Sequence, residues 1–366
     1  MKLSIDPQTL AETVTWAVRA ITQRPAIPIL AGLLLEAADD QLTVSAFDYD
    51  FVLQATVTAD VSEPGRVVLP GRVLAEIAKD LPGGNFADLA LSGREMAITC
   101  GRLSYTLVSL PVEDYPSIPE APPILGTADG AVLATAIQQV ATAATKDNTL
   151  PMLTGIRWDI SEDTLSLAAT DRYRIAVRDL PWTPHVTGKV DGVVAPHGHL
   201  LDAAKGGMRG TVSVGWDGSR IGFQYEGRTV ITRLLDSQFI DYTSRTEYGD
   251  LPILATIDRA LIMGAVKRAA RVAEKNTAVR LAFSSDEVLV QAGTADVARG
   301  AETVPCELTG ADVHEIAFQP QFLLDALTGV QQDKVLMHMQ PGNKPALISG
   351  QESDSYRCLV MVLRLA

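Results

Sequence analysis

Cysteine is scarce: Cys100, Cys306 and Cys358 are the only three in 366 residues, and they lie far apart. Such spacing argues against a disulfide framework and fits reduced, half-buried thiols. Long apolar runs are missing as well. The longest, around Ala26 to Leu35, contains Pro28 and falls short of the roughly 20 residues that span a membrane. The opening Met1-Lys2-Leu3-Ser4-Ile5-Asp6-Pro7 has no apolar stretch ahead of a small-residue cleavage site, so no secretory signal and a soluble, cytoplasmic protein are expected. Basic charge is in deficit, with 31 Lys and Arg against 44 Asp and Glu and a net charge of -13. That balance excludes a nucleic-acid partner held over the whole surface, so any such contact must be locally basic.

Signatures of catalysis are also absent. His197 and His199 are two apart, which puts them on different faces of a helix, and no third ligand follows at metal-site spacing. Gly83-Gly84 and Gly206-Gly207 lack the further glycines and lysine of a phosphate-binding loop. Asp171, in Thr170-Asp171-Arg172-Tyr173, has no positioned partner in the sequence and reads as a loop carboxylate. No enzyme, cofactor or metal is expected.

What the sequence does have is a long internal repeat. Leu30-Ala31-Gly32-Leu33-Leu34-Leu35-Glu36 matches Leu153-Thr154-Gly155-Ile156-Arg157-Trp158-Asp159 and then Thr277-Ala278-Val279-Arg280-Leu281-Ala282-Phe283, at a spacing of 123 (155 − 32 and 278 − 155). Two further anchors agree: Leu42, Leu165 and Val288 in strand-like runs, and Leu200-Leu201-Asp202-Ala203 against Leu323-Leu324-Asp325-Ala326, with Val73 to Ile77 as a looser first copy. The period far exceeds the roughly 20 to 50 residues of solenoid repeats, so each copy is expected to own a core. Three domains of one kind follow, at 1–118, 127–244 and 253–366. Proline-rich connections between them, Tyr115 to Pro123 and Gly249 to Pro252, read as stiff spacers.

Within a copy the order is helix, paired strands, helix, strands, an α+β pattern. Asp6-Pro7 reads as an N-cap with proline at the first helical position, followed by Leu10, Val14, Ala17 and Ile21 at helical spacing. Asp39-Asp40 and Glu162-Asp163 fall where hairpin turns belong. Pro70-Gly71 opens a second helix through Leu74, Ile77 and Leu81, and Pro82-Gly83-Gly84 ends it. A helix expected over Asp258 to Lys275 carries Lys267, Arg268, Arg271 and Lys275, with Leu261, Ile262, Ala265, Ala269 and Val272 as its buried side. Lys267, Arg271 and Lys275 are four apart and share a face. Cations arranged so suit phosphates held without sequence readout.

Three segments carry a family resemblance: Gln23-Arg24-Pro25-Ala26-Ile27-Pro28-Ile29-Leu30, Ala169-Thr170-Asp171-Arg172-Tyr173-Arg174-Ile175-Ala176, and Leu359-Val360-Met361-Val362-Leu363-Arg364-Leu365. With the repeat length, they make the whole chain similar to the bacterial beta sliding clamps, non-catalytic processivity subunits of the replicative DNA polymerase. The resemblance implies two crescent subunits joined head to tail, with helices lining a central hole and antiparallel sheets outside. It implies DNA contacts at Arg24, Arg72, Lys146 and Lys205 beside the cations of the third-copy helix, although Asp147 next to Lys146 is unfavourable for phosphate. It also implies a peptide groove of Leu153, Thr170, Arg172, Tyr173, Arg174, Ile175, Ile240, Pro345, Leu359, Val360, Met361, Val362, Leu363 and Arg364.

The partners so implied are duplex DNA, the alpha-type catalytic subunit of the polymerase, the clamp loader, repair polymerases and other proteins with short Gln/Leu/Phe peptides. A homodimer contact is expected at Tyr105 and Leu107 against Val272 of a neighbour. One departure stands out: Val362 occupies the usual proline position of the ending, which restores a backbone donor and frees φ. Together with Asp147, it motivates an alternative, a three-domain peptide-binding protein that does not encircle DNA.

Overall fold

The computed structural model of the chain describes residues 1–147, 149–186, 190–246, 251–272, 278–293, 299–311, 314–342, 344–351 and 355–364. Seven helices occur among them: α1 (Pro7–Ala17), α2 (Gly71–Asp80), α3 (Gly130–Ala141), α4 (His197–Ala204), α5 (Thr243–Thr246), α6 (Arg259–Ala269) and α7 (Pro320–Gly329). None of the described helices is long and apolar enough to cross a membrane. Apart from short 3-10 turns, the rest of the regular structure is antiparallel sheet.

The chain forms two compact units. The first comprises Met1–Ala131, Thr183–Thr187 and Gly198–Leu234. It holds a five-stranded sheet that ends at Leu103–Val108, and a nine-stranded sheet in which Phe51–Thr58 pairs with Arg228–Arg233. The second comprises Val132–Trp182, Gly188–His197 and Leu235–Ala366, around a twelve-stranded sheet in which Arg174–Pro181 pairs with Tyr356–Val360. Each unit thus contains a sheet that runs without a break from one sequence repeat into the next.

Local chemistry explains the elements. Asp6 caps α1 by accepting from the Thr9 N–H at 2.8 Å, and Asp258 caps α6 by accepting from Leu261 N–H at 2.9 Å. Leu10, Val14 and Ala17 are buried beneath α1, as their spacing requires. Between strands Gly32–Ala38 and Gln41–Phe47 the turn is Asp39-Asp40, both at positive φ (50° and 55°), the form that matches the twist of a tight hairpin. A strand that the sequence pattern does not announce, Lys2–Ile5, precedes α1 and pairs with Asp60–Glu63 and Ala87–Ser92.

The third-copy helix is shorter than its composition predicts. It ends at Ala269 rather than Lys275, because the chain tightens into three-residue turns, with Arg271 N–H donating to Arg268 O and Val272 N–H to Ala269 O. Its buried side is Ile262, Ala265, Val266 and Ala269, whereas Leu261, expected inside, is 49% exposed. The cysteines are buried rather than half-buried, Cys306 least completely. Burial pushes the Cys306 thiol up to about 11 and that of Cys358 up to about 12.

Glycine at the first repeat anchor has a steric cause. A Cβ on Gly32 would run into Val68 Cγ1 with Leu110 close by, and one on Gly155 would run into Val194 Cγ1 with Leu235 Cδ1 at 3.0 Å. The same close approach is therefore built twice. Gly155→Ala is expected to cost about 1–3 kcal/mol by overpacking, read as a lower urea midpoint. An unchanged midpoint would mean that Val194 swings clear at no cost.

Candidate functional site

The residues expected to face DNA fall in both units. Arg24 is exposed in the irregular stretch after α1. Arg72, exposed on the first turn of α2, donates from Nη2 to Ile21 O and Thr22 O, both at 3.3 Å, which holds its guanidinium beside the segment that carries Arg24. Lys205 follows α4, 3.0 Å from Asp202. It lines a hollow of 460 Å³ with Arg19, Lys79, Arg209 and Arg228, against the carboxylates of Glu12 and Glu226. Arg228 lies 5.0 Å over the Trp16 ring and donates to Gly206 O at 2.9 Å. Sequence reading missed Arg19, Arg209 and Arg228, which come together only through the fold. A locally basic surface thus exists on an acidic chain.

In the second unit Lys146 is exposed in the loop after α3. Its neighbour Asp147 is occupied locally, since hydrogen bonds from Thr149 hold its carboxyl below the usual range. Asn148 lies outside the described residues. Lys267 and Arg271 are exposed. Arg268 is not a free cation: it makes a two-pronged contact with Glu302, at 2.7 and 2.6 Å, and that pairing lowers the Glu302 carboxyl. Lys275 lies outside the described residues.

The groove residues converge where the second repeat meets the third. Ile175 pairs with Leu359 across the sheet, and both belong to an apolar cluster with Ala168, Val177, Val194, Phe239 and Tyr242. Leu235, Ile240 and Leu347 pack on it while only partly buried. The turn before Ile175 is fixed by polar bonds: Thr170 Oγ1 donates to Arg174 O at 2.7 Å, and Asp171 accepts from the N–H groups of Tyr173 and Arg174. Arg172, in that turn, takes φ 79°, a conformation that only firm anchoring on both sides sustains in a non-glycine residue. The Asp171 carboxylate therefore has a partner after all, Arg174 Nε at 3.0 Å.

Arg174, 8% exposed, also reaches Asp325 of α7 at 2.5 Å, and its guanidinium lies 4.7 Å over the Phe322 ring. Tyr173 stacks on the same ring at 5.7 Å and stays 54% exposed. The C-terminal tail lies alongside: Met361 N–H donates to Tyr173 O and Leu363 N–H to Ala317 O, both at 2.8 Å. These two bonds flank Val362, so the residue at that position holds the tail through neither of them. Met361 and Leu363 remain exposed, at 45% and 37%, while Val360 is fully buried. Arg364 is exposed, and Pro345 is half-buried just ahead of the strand that carries Leu347. Leu153, buried, accepts from Thr145 N–H at 2.8 Å, which ties it to the Lys146 loop.

Beside the groove lies a charged platform. Arg157 donates to Asp159 through Nε and Nη2 at 2.8 and 2.9 Å, and Tyr242 Oη donates to the same carboxylate at 2.9 Å. Burial alone would raise the Asp159 carboxyl, but the bonds from Arg157, Tyr242 and Gly192 outweigh it and hold the group below its ordinary range. Val177, Phe239, Tyr242 and Leu347 were missed by sequence reading. Val177 was findable, two residues from Ile175 on the same strand face.

Two other expectations can be located. Tyr105 is half-buried and Leu107 is 8% exposed in the single chain, whereas the adjacent Val108 is 57% exposed. Val272 lies close to Gly300, where an added Cβ would be 3.1 Å from its Cγ2. His197 Nδ1 lies 2.6 Å from Thr154 O and His199 Nδ1 2.8 Å from Thr232 Oγ1. No group of three or more potential metal ligands occurs among the described residues.

Family models of the DNA polymerase III beta subunit match the chain in succession, the N-terminal domain over residues 1–119, the central domain over 127–241 and the C-terminal domain over 250–364. The beta sliding clamp of Streptomyces coelicolor is 40% identical over 380 aligned residues that cover all of both chains. The beta sliding clamp homolog GriR of Streptomyces muensis is 34% identical and covers 100% of this chain and 99% of its own. Among solved structures, the Pseudomonas aeruginosa sliding clamp bound to griselimycin superposes with a TM-score of 0.92 at 25% identity, with both chains fully covered. Three repeated domains of that kind, on strands and helices placed as above, make this chain a member of the DNA polymerase III beta subunit family, the non-catalytic sliding clamps that act as processivity factors.

Proposed function

We propose that two copies of this chain join head to tail into a ring around duplex DNA, and that each copy offers one groove to extended peptides of the proteins it tethers. The observation that carries the ring is a pair of open sheet edges. Among the described strands, Leu103–Val108 is bonded along one side only, to Glu95–Cys100. Residues 299–305 likewise pair with Glu287–Gly293 on one side, while the far half of that strand, 306–309, alone reaches Ile253–Asp258. Unpaired edges are templates for another strand. Because the two edges differ, their contact is heterologous, and it closes only if the curvature returns to the start. Tyr105 and Leu107 on one edge and Val272 beside the other supply its apolar part.

Duplex DNA passes inside such a ring without sequence readout, met by Arg24, Arg72, Lys146, Lys205, Lys267 and Arg271 across a wet gap. Lys275 joins them by resemblance. Arg268 contacts a phosphate only by giving up Glu302. The groove takes a peptide with one or two apolar anchors and a glutamine, from the alpha-type polymerase subunit, the clamp loader, repair polymerases and similar partners. Two anchors contribute roughly 3–6 kcal/mol before ordering costs, so single peptides exchange readily. Partners that also hold DNA, or both grooves, gain by linkage. The site of action is the cytoplasm.

Four outcomes test this reading. Sedimentation should give a dimer at micromolar concentration, and Val272→Asp should shift it toward monomer; a monomeric parent chain would sink the ring. Loaded onto nicked circular DNA by an ATP-driven loader, the protein should persist until the circle is cut, whereas equal retention on linear DNA contradicts encirclement. Lys267→Ala with Arg271→Ala should flatten the salt dependence of DNA binding by about two in slope. Ile240→Ala should weaken a Gln/Leu/Phe peptide about tenfold with the dimer intact, as read by fluorescence polarisation.

A further inference from the structure

The junction between the first and second repeats has the same construction as the junction that carries the groove. Val52 pairs with Ile231 there as Ile175 pairs with Leu359, and Val52 and Ile175 are one repeat length apart. The connecting segment is brought to the sheet by the same bond in both, Leu110 N–H to Val68 O and Leu235 N–H to Val194 O, each at 2.8 Å. Apolar residues of the segment then pack on the face, Tyr115 in the first case and Phe239 and Tyr242 in the second.

After that point the two differ. The second segment turns into α5 directly beyond Tyr242. The first runs on across its face through Pro116, Ile118 and Ala121, which line a cavity of 480 Å³ together with Val52 and Ile231 and with the polar side chains of Glu36, Gln54, Arg66, Gln224 and Thr229. Ile118 and Ala121 pack on the apolar cluster, while Ser117 and Glu120 are exposed. The segment is pinned at its far end, where Trp216 N–H donates to Pro123 O at 3.1 Å and the absence of a side chain at Gly215 lets Pro122 O come into contact. An extended, proline-stiffened strand with two aliphatic anchors toward the sheet and polar residues toward water is the form in which an extended peptide would fit the equivalent face.

We infer that the first junction is a second peptide groove of the same kind, held closed by the chain's own segment Pro116–Ala121, which occupies it as a tethered ligand. This rests on the peptide-groove reading above. Tethering makes the occupant's effective concentration high enough to exclude weak peptides in solution, so each chain presents one groove and a dimer two. The floor of the closed groove is also more polar. Gln54 donates to Ser45 Oγ at 3.1 Å where the second junction has Val177 and Ala168, so a peptide admitted there binds more weakly.

Two measurements test it with a fluorescein-labelled hexapeptide containing Gln, Leu and Phe. In calorimetric titrations the parent chain should take one peptide, and the variant Ile118→Ser with Ala121→Ser should take a second, about tenfold weaker, which Val52→Asp removes. A folded variant that still takes one overturns the inference. The second measurement needs no altered protein: a synthetic peptide of residues 115–123 should displace the labelled peptide from the parent chain at about a hundredfold excess, and its Ile118→Ser form should not. Failure of the unaltered segment to compete overturns the equivalence of the two faces even if the variant does not fold. If the parent chain binds no labelled peptide at all, the groove reading itself fails and this inference falls with it.

Discussion

Antiparallel pairing between a strand of one repeat and the closing strand of the next is the constraint on which the rest depends. Phe51–Thr58 with Arg228–Arg233, and Arg174–Pro181 with Tyr356–Val360, satisfy backbone donors and acceptors that would otherwise be open edges in the middle of the chain. The pairing also explains why the compact units cut through the second repeat instead of respecting the period: each unit is organised by the sheet it closes. Register follows from the same pairing, because a slip by one residue would turn Ile175 and Leu359 outward and carry polar side chains onto the apolar floor.

At the groove that constraint is reinforced by charge. Arg174 sits on the second repeat, and its guanidinium is held by Asp171 of its own turn and Asp325 of α7 in the third, with Phe322 beneath it. A buried cation with two carboxylates and an aromatic face is costly to disturb, since loss of one partner strands the others. The groove is therefore rigid where the repeats meet and open where Tyr173, Met361 and Leu363 are exposed. Rigidity on one side and exposure on the other supports the proposed use of this groove as a peptide site.

Much of the fold was legible because it is repetitive. Three anchors at one period specify three like domains, and Asp6-Pro7, Asp39-Asp40 and Pro82-Gly83-Gly84 punctuate elements through local chemistry alone. What escaped was short or non-local. Lys2–Ile5 is four residues long, too brief for a period to register, and the end of α6 depends on where the chain tightens after Ala269. At the candidate surfaces, Lys267 was readable from helical spacing, whereas Arg271 lies past the end of α6 and is exposed in the turn that follows. The capture of Arg268 by Glu302 was not readable, because the partner is 34 residues away on another element. Asp202 and Asp325 occupy the same place in the repeat, yet one pairs with Lys205 and the other with Arg174. Equivalent letters in a repeat fix position and leave the choice of partner to tertiary packing.

The buried thiols carry a practical corollary. Cys100 is 1% exposed, and burial keeps the Cys306 and Cys358 thiols protonated at neutral pH, with values pushed up to about 11 and about 12. Thiolate is the species that maleimides and oxidants attack. Buried thiols of this kind should react slowly with such reagents while the chain is folded, which makes it a suitable background into which one surface cysteine can be introduced and a dye or spin label attached at a single known place.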